Sequence, residues 1–186
     1  ADPLHILEIV MPCAGGSAVI VASKELASMC RNRPVYVTGC GERLTTKSTT
    51  YAEDMTVTPV GPAAASAFGM SGKSPADVDV LEAYDCYTIT VLLTIEDSGF
   101  CGKGEGKQFV LDNDLTFSGS FPLNTHGGQL GAGQPGLAGG MLQPVEAVRQ
   151  VAGKADGRQV KDCDVALVTG TGGIMSEQSA LILEGA

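Results

Sequence analysis

The chain has 186 residues, of which 44% are hydrophobic and 18% are charged, which is typical of a soluble globular protein with a full apolar core. Its formal net charge of −9 argues against nucleic-acid binding, which needs a basic surface, and against binding to anionic membranes. A phosphorylated ligand stays compatible with this charge, because a helix N-terminus or a local basic cluster can bind phosphate.

The cysteine and histidine content predicts neither disulfides nor a metal site. Six cysteines are scattered without a Cys-x-x-Cys pair, in a chain long enough to fold without disulfides. His5 and His126 lack the spacing of metal ligands. We find no signal-peptide pattern and no membrane-spanning apolar run, and expect a cytoplasmic protein without membrane insertion. The sequence opens on Ala1 instead of methionine, as a processed chain, a trimmed chain or a fragment would.

The first part of the chain is predicted to contain extended segments and one helix. Residues 6–11 alternate loosely and predict an extended segment, and residues 14–23 are small and β-branched, which predicts a buried strand. Residues 23–31 predict a helix with a serine cap. Residues 35–42 predict a second strand, and the threonine-rich residues 45–59 predict a loop.

The middle of the chain alternates between helix and strand patterns. Residues 62–72 predict a helix with a proline in its first turn and a glycine beyond its end. Residues 78–85 predict a buried strand, and apolar residues recur at helical spacing over residues 87–95. Residues 102–107 predict a polar glycine loop, and residues 115–123 predict a strand.

The end of the chain completes this pattern. Residues 141–151 have the apolar spacing of an amphipathic helix, and residues 164–168 and 178–183 predict two strands of a hairpin. The predicted strands are nearly continuous in Val, Ile and Leu and alternate with helices. The sequence therefore predicts an α/β layered fold with helices on a sheet.

Residues 124–140 are unusually rich in glycine, with seven glycines in seventeen positions and His126 among them. Glycines let the backbone adopt positive φ and let a ligand approach the main chain closely. Flexible linkers are also glycine-rich, but they are usually polar and rich in serine. The segment is therefore either a ligand-binding loop or an ordered turn that binds nothing.

Three predicted loops follow buried strands, where ligands of α/β sheets gather: residues 83–88, 124–135 and 169–175. Cys86 lies at a predicted strand-to-helix junction, where a helix dipole lowers a thiol pKa and makes the thiol a nucleophile or base. His126 could serve beside it as a base or an oxyanion donor. The alternatives are an inert buried thiol and a structural loop histidine.

Four stretches in order resemble the C-terminal half of thiolase-superfamily proteins, most like the lipid-transfer-protein or sterol-carrier branch. Residues 1–23 resemble the segment that precedes the C-terminal domain. Residues 71–88 resemble the strand and turn that carry Asn-Glu-Ala-Phe in ordinary thiolases and His-Asp-Cys-Phe in the sterol-carrier branch. Residues 122–139 resemble the glycine segment that contains Gly-His-Pro, and residues 166–175 the last loop, which carries Cys-x-Gly in ordinary thiolases.

This resemblance implies a thiolase-like layered fold, of which the chain is the C-terminal half with a mixed sheet covered by helices. Residues 1–32 would be the final strand and helix of the N-terminal thiolase domain, and residues 33–186 the C-terminal domain. The family's first half, which holds the acyl-accepting cysteine, lies outside this sequence.

The resemblance also implies candidate site residues. Tyr84 stands at the family's Asn or His position, and Cys86 matches a sterol-carrier-branch cysteine that resembles a replacement for the last-loop acid/base cysteine. Gln134 replaces the histidine of Gly-His-Pro, and glutamine accepts no proton near neutral pH. With His126 as an oxyanion donor, these four are the expected catalytic residues. The expected substrate-binding residues are Asp85, Asn124, Gly127, Gly128, Gly172 and Gly173.

Three functions stay open at this point. The first is the C-terminal domain of a thiolase-like acyl-coenzyme A acyltransferase or lipid-transfer protein, inactive as this chain alone. The second is a subunit of a coenzyme A-thioester aldolase, because a tyrosine at position 84 is similar to steroid side-chain aldolases, which pair with a zinc-ribbon/OB-fold protein. The third is a non-catalytic module that binds an acyl thioester or a lipid. We expect a coenzyme A thioester as substrate, no covalently bound cofactor and a homo-oligomer.

Overall fold

The structure is a computed structural model that describes residues 2–47 and 49–186. It contains a four-stranded mixed sheet with the order β1-β4-β3-β2, formed by β1 (Val35–Leu44), β2 (Val80–Glu82), β3 (Val165–Gly172) and β4 (Glu177–Gly185). β4 pairs antiparallel with β1 and β3, and β2 pairs parallel with β3. The predicted α/β fold with a mixed sheet is confirmed, and so is the hairpin at the end of the chain.

The helices of the described residues are α1 (Lys24–Ser28), α2 (Val60–Ser71), α3 (Thr88–Asp97), α4 (Gly106–Asp112), α5 (Gly128–Ala132) and α6 (Leu142–Val151). Short 3₁₀ turns occur at Ile6–Glu8, Thr49–Tyr51, Pro75–Asp77, Gly136–Met141 and Asp156–Arg158. The four helices that the sequence predicted correspond to α1, α2, α3 and α6. No helix among these residues has the length and hydrophobicity needed to cross a membrane.

The helices cover both faces of the sheet, and each face has its own apolar cluster. On one face, Leu167 and Ile182 pack against α2 and α3. On the other face, Ala166 and Leu183 pack against α6. Neighbouring residues of β3 and β4 thus enter opposite clusters, because successive side chains of a strand point to opposite faces. Burial on both faces explains why these strands are nearly continuous in apolar residues.

α2 lies directly on β1, and two glycines of the strand make this contact possible. A Cβ on Gly39 would lie 2.1 Å from the Ala67 carbonyl oxygen, and one on Gly41 would lie 2.0 Å from the Ala63 carbonyl oxygen. Any side chain at either position would push the helix off the sheet. The two glycines of the predicted strand are therefore packing residues.

Two predicted strands are absent from the described structure. Residues 14–23 form no strand, and Ile20 and Val21 are 98% and 90% exposed, because no strand within residues 2–47 and 49–186 pairs with them. Residues 115–123 form turns, in which Asp114 accepts the Thr116 amide over 3.0 Å, and only Leu123 forms a bridge, to Leu81.

Smaller differences concern loops and boundaries. Residues 106–112 form α4, although the sequence predicted a glycine loop over residues 102–107, because the backbone amide of Gly106 donates to buried Glu96 Oε1 over 2.9 Å and so begins the helix. The predicted loop at residues 45–59 contains one 3₁₀ turn. Ser48, in that loop, and Ala1 lie outside the described residues.

Candidate active site

The loop between β2 and α3 lies at the end of the sheet where parallel strands finish. β2 ends at Glu82 and α3 begins at Thr88, so residues 83–87 form this loop. Because β2 is parallel to β3, the loop lies beside the end of β3, and the Tyr84 amide donates to Thr169 Oγ1 over 3.2 Å. The structure thus brings together the first and third of the predicted ligand loops.

Asp85 joins this loop to the glycine segment. Its carboxylate accepts the backbone amides of Gln129 and Leu130, over 2.8 Å and 3.1 Å, and the side-chain amide of Gln143 over 3.0 Å. Asp85 is 2% exposed, and a Cβ on Gly128, which has φ +63°, would lie 2.0 Å from its Oδ2. These contacts favour a positioning role for Asp85 and Gly128 over the predicted contact with substrate.

Asn124 is a second connection between the same two loops. Its Oδ1 accepts the backbone amide of Ala83 over 2.7 Å, and its Nδ2 donates to the Ala83 carbonyl over 2.9 Å. Asn124 has φ 45° and Gly127 has φ 94°, which turns the chain sharply into α5. The Asn124 side chain is therefore occupied by the protein, and both residues shape the loop.

Gln134 reaches Tyr84 from the far end of the glycine segment. Its Nε2 donates a hydrogen bond of 2.7 Å to the Tyr84 hydroxyl oxygen. Its backbone is held by the N-terminal part of the chain, since the Gln134 amide donates to Met11 and the Gln134 carbonyl accepts from Cys13, over 2.9 Å and 3.1 Å. The Val10 amide also donates to the carbonyl of Cys86 over 3.0 Å, so residues 10–13 connect both loops.

Tyr84 faces a cavity of about 420 Å³ at this end of the sheet. Its lining is made of Tyr84 and strand or loop residues: Glu42, Gly140, Gly170, Thr171, Gly172, Glu177, Gln178 and Ser179. Three glycines leave much of this wall as bare backbone, which a bulky ligand can approach closely. Of the four candidate catalytic residues, Tyr84 lines the cavity and Gln134 contacts Tyr84, whereas Cys86 and His126 are not part of the lining.

The hairpin after β3 separates the two predicted glycines of the last loop. Gly172 lines the cavity, whereas Gly173 forms the turn, where a Cβ would lie 2.4 Å from Ser176 Oγ. Ile174 and Met175 follow with φ 55° and 64°, backbone conformations that residues other than glycine rarely adopt. The backbone conformations of these residues determine the shape of the turn. Of the two glycines, Gly172 is the candidate for contact with substrate.

The environment of Tyr84 keeps its hydroxyl protonated. Burial raises the pKa of Tyr84 above its ordinary value of 10.0, and the nearby charge of Asp85 acts in the same direction. The side chains of Gln129 and Gln134 oppose this rise without reversing it. At neutral pH the Tyr84 hydroxyl is therefore a hydrogen-bond donor to a ligand and a poor base.

Cys86 is held as a neutral thiol. Its Sγ lies 3.5 Å from Thr90 Oγ1, and burial raises the pKa of Cys86 above its ordinary value of 9.0, although Thr90 and the backbone at Tyr87 oppose this. The helix N-terminus that was expected to activate the thiol is present, since α3 begins at Thr88. Burial nevertheless raises the pKa of Cys86, so this environment does not favour a thiolate.

His126 lies in a buried network of charged groups. Its Nδ1 is 3.0 Å from Glu82 Oε2, which is within the distance of an ion pair. The two atoms do not have the geometry of a hydrogen bond. Glu82 Oε1 accepts the amide and hydroxyl of Thr125, over 3.1 Å and 3.0 Å. Arg158 binds both oxygens of Glu146, over 2.8 Å and 2.7 Å, and Thr125 connects the two pairs through a 2.8 Å bond to Glu146.

The charges of this network favour the imidazolium form of His126. Burial alone would lower the pKa of His126, but contact with Glu82 and the charge of Glu146 raise it above 6.5. Burial likewise opposes ionisation of Glu146, but Arg158 and Thr125 hold the pKa of that carboxyl below 4.5. A His126 held between Glu82 and Glu146 serves the loop structure better than it serves as a base.

The same cluster has the spacing of a metal site, but its contacts do not fit one. Ligand atoms of Glu82, His126 and Glu146 lie within 4.8 Å of one another. Both Glu146 oxygens already bind Arg158, whose guanidinium is always charged and would repel a cation. The donor set therefore forms an ion-pair network.

The comparison with known families identifies the chain. Residues 41–185 match the family described as "Thiolase C-terminal domain-like". This chain belongs to that family. The thiolase-like domain is 34% identical over 177 residues to an acetyl-CoA acetyltransferase of Methanothermobacter thermautotrophicus, covering 93% of the chain and 46% of the relative. It is 35% identical over 158 residues to a 17-hydroxy-3-oxo-4-pregnene-20-carboxyl-CoA lyase of Mycobacterium tuberculosis, covering 82% and 40%.

A solved structure, the Ltp2-ChsH2(DUF35) aldolase, has the same fold. It matches 100% of this chain and 48% of its own chain, with a TM-score of 0.84 and 32% identity. Sterol carrier protein 2 of Rattus norvegicus is 34% identical over 89% of this chain, which confirms the predicted relation to the sterol-carrier branch. The chain spans less than half the length of each of these relatives.

Several residues of the thiolase-like domain escaped prediction from sequence. The sequence predicts Glu82 only as part of a buried strand. A buried carboxylate needs a partner, and this requirement points to a contact such as that with His126. On α6, Gln143, Glu146 and Gln150 recur at helical spacing and are all buried. This polar stripe inside an otherwise amphipathic helix is a signal that could have revealed the network. No signal in the sequence points to Glu177, which lines the cavity.

Proposed function

We propose that this chain is the C-terminal half of a thiolase-like enzyme that cleaves a carbon–carbon bond of a β-hydroxyacyl-coenzyme A by a retro-aldol reaction. The observation that carries this proposal is the protonated Tyr84 hydroxyl at the cavity, held by Gln134 over 2.7 Å. A retro-aldol reaction needs a donor beside the enolate oxygen that develops on the thioester. Tyr84 supplies this donor.

The state of the other candidates supports the same reaction. Acyl transfer through this half would need a thiolate or a basic histidine near the reacting carbons. Cys86 is a neutral thiol outside the cavity lining, and Gln134 accepts no proton near neutral pH. A retro-aldol reaction requires neither an acyl-cysteine nor an activated thiol.

Two comparisons support the proposal. The Mycobacterium tuberculosis relative is named as a lyase of a hydroxylated steroid carboxyl-coenzyme A. The solved structure that matches the whole chain is an aldolase. For this chain, we propose a coenzyme A thioester with a β-hydroxyl group as substrate and no covalently bound cofactor.

We propose that the active enzyme is an assembly. The aldolase structure contains a DUF35 component, and a zinc-ribbon/OB-fold partner of this kind is proposed for this chain as well, together with self-association. We also assign residues 1–32 to the preceding thiolase domain. This assignment accounts for the exposure of Leu7, Ile20 and Val21, which are 87%, 98% and 90% accessible.

The test uses the full-length protein, with its partner subunit where one is encoded beside it. The substrates are 3-hydroxy-3-methylbutanoyl-coenzyme A and 2-(1-hydroxycyclopentyl)propanoyl-coenzyme A. Mass spectrometry should show acetone with acetyl-coenzyme A from the first, or cyclopentanone with propanoyl-coenzyme A from the second. Failure to cleave either substrate would argue against the proposal, and tight binding without turnover would favour a binding module.

A thiolase-type acyltransferase is the second candidate, because the chain is 34% identical to an acetyl-CoA acetyltransferase. The same protein preparation is assayed for thiolysis of acetoacetyl-coenzyme A with free coenzyme A. Thiolysis without cleavage of the β-hydroxy substrates would favour the acyltransferase. The proposed aldolase gives the opposite pair of results.

A further inference from the structure

We infer that Glu177 is the general base that accepts the proton of the substrate hydroxyl, an assignment that rests on the proposed retro-aldol function. Cleavage needs two groups on opposite sides of the breaking bond: a donor at the thioester oxygen and an acceptor at the β-hydroxyl. Tyr84 is protonated and can fill only the first role. The acceptor must therefore be another group on the same cavity.

Few side chains of the cavity can accept a proton. Gln178 is bound to the Val60 amide and to Thr171, and hydroxyl and amide side chains are not bases near neutral pH. The lining contains two carboxylates, Glu42 and Glu177. A carboxylate oxygen is a common acceptor for the proton of a ligand hydroxyl in general base catalysis.

The position of Glu177 distinguishes it from Glu42. Glu177 opposes Gly172 across the β3–β4 ladder, and its Oε2 would lie 3.8 Å from a Cβ on Gly172. The carboxylate therefore leans from β4 toward β3, the strand to which the Tyr84 loop is bonded through Thr169. Glu42 lies on β1, one strand and about 4.8 Å farther away, and it is exposed.

The Glu177 carboxylate also has the freedom that a base needs. It is half-buried, and among the described residues it has neither a hydrogen-bond donor nor a cationic partner. The other half-buried or buried carboxylates near this end of the sheet, Asp85, Glu82 and Glu146, are all bound by protein groups. An unpartnered carboxylate on a cavity is available to a ligand hydroxyl.

The reaction balances with these two residues. Glu177 accepts the proton of the β-hydroxyl, whose O–H electron pair forms the new carbonyl. The bond between the α- and β-carbons breaks, and its electron pair enters the thioester as an enolate stabilised by the Tyr84 hydroxyl. The proton held by Glu177 then passes to the α-carbon, so the products are a ketone and a shorter acyl thioester, without oxidation or reduction.

The test compares Glu177→Gln with wild type in the full-length enzyme and its partner, on 2-(1-hydroxycyclopentyl)propanoyl-coenzyme A. Loss of a general base predicts a fall in kcat of roughly 10²- to 10⁴-fold with little change in KM. Glu177→Asp should retain more activity than Glu177→Gln, because aspartate keeps a carboxylate as the proton acceptor. Glu53→Gln, an exposed position away from the cavity, is the charge-matched control.

Three results would overturn the assignment. Glu177→Gln within threefold of wild-type kcat would show that the carboxylate is not the base. A large loss in Glu42→Gln with an active Glu177→Gln would assign the base to Glu42. A wild-type enzyme that cleaves neither test substrate would contradict the proposed function itself, and the assignment of Glu177 with it. In the first two results the wild-type enzyme is active, so this third failure can be told apart from them.

Discussion

The side-chain amide of Gln134 donates a hydrogen bond of 2.7 Å to the hydroxyl oxygen of Tyr84, joining two loops that are 50 residues apart in the chain. The bond leaves the Tyr84 proton free to point at a ligand in the cavity. Glutamine can only donate and orient here, because its side-chain amide is neither protonated nor deprotonated near neutral pH. The pair therefore forms a fixed donor, as a reaction through an enolate requires.

Replacing Gln134 should weaken catalysis without abolishing it. Gln134→Met keeps the length of the side chain and removes the donor, so we expect kcat to fall about tenfold, the equivalent of one neutral hydrogen bond of about 1.4 kcal/mol. The measurement is steady-state cleavage of 2-(1-hydroxycyclopentyl)propanoyl-coenzyme A. Gln108→Met, at an exposed position, is the control. An unchanged kcat in Gln134→Met would show that the bond does not orient Tyr84.

Cys86 should be dispensable for the proposed reaction. Because burial raises the pKa of Cys86 and its sulfur is not part of the cavity lining, Cys86→Ala should keep kcat within about threefold of wild type. Iodoacetamide should label Cys86 more slowly than a free thiol at neutral pH, since the thiolate is the reactive form. A hundredfold loss in Cys86→Ala would instead support thiol chemistry and the acyltransferase.

The ion pair between Arg158 and Glu146 should contribute to stability. Glu146 is 2% exposed, so Arg158→Met leaves a buried carboxylate without its cation and should lower the free energy of unfolding by about 3 kcal/mol. The double variant Arg158→Met/Glu146→Met should lose less free energy of unfolding than the sum of the losses in the two single variants, as measured by urea unfolding.

A surface pair is the matched control for this cycle. Lys161 and Asp162 lie 4.0 Å apart with side chains that are 92% and 88% exposed, and Lys161→Met should change stability by less than about 0.5 kcal/mol. Additive losses in the Arg158 and Glu146 variants would mean that the two residues do not interact across the network.

The stability of the protein should fall as the pH rises above about 6.5. Contact with Glu82 raises the pKa of His126 above 6.5 in the folded state, so folded His126 keeps a proton that the unfolded chain has released. Its contribution is therefore complete below about pH 6.5 and is lost as the pH rises through the folded pKa. Urea unfolding between pH 5.5 and 8.5 measures this slope.

The variant His126→Gln should flatten that pH dependence. His5→Gln, at a side chain that is 77% exposed, should leave it as in wild type. A wild-type stability that rises over the same pH range would show that His126 is buried as a neutral imidazole.

The sequence predicted the sheet, its flanking helices and the family correctly, because buried strands and amphipathic helices leave periodic patterns. It failed where neighbouring strands decide the outcome: residues 14–23 have strand composition, but no strand among the described residues pairs with them. Family motifs pointed to Tyr84 and Gln134, which the structure brings into contact. They could not foresee that burial raises the pKa of Cys86, or that Glu82 and Glu146 lie beside His126.

The most direct test of the account is single-turnover cleavage of 2-(1-hydroxycyclopentyl)propanoyl-coenzyme A by wild type and Tyr84→Phe in the full-length enzyme. Removing the hydroxyl takes away the donor to the enolate oxygen, and we expect the rate to fall by at least about 10²-fold. Circular dichroism of the variant should match wild type, because phenylalanine preserves the ring. A Tyr84→Phe rate within threefold of wild type would contradict the central claim.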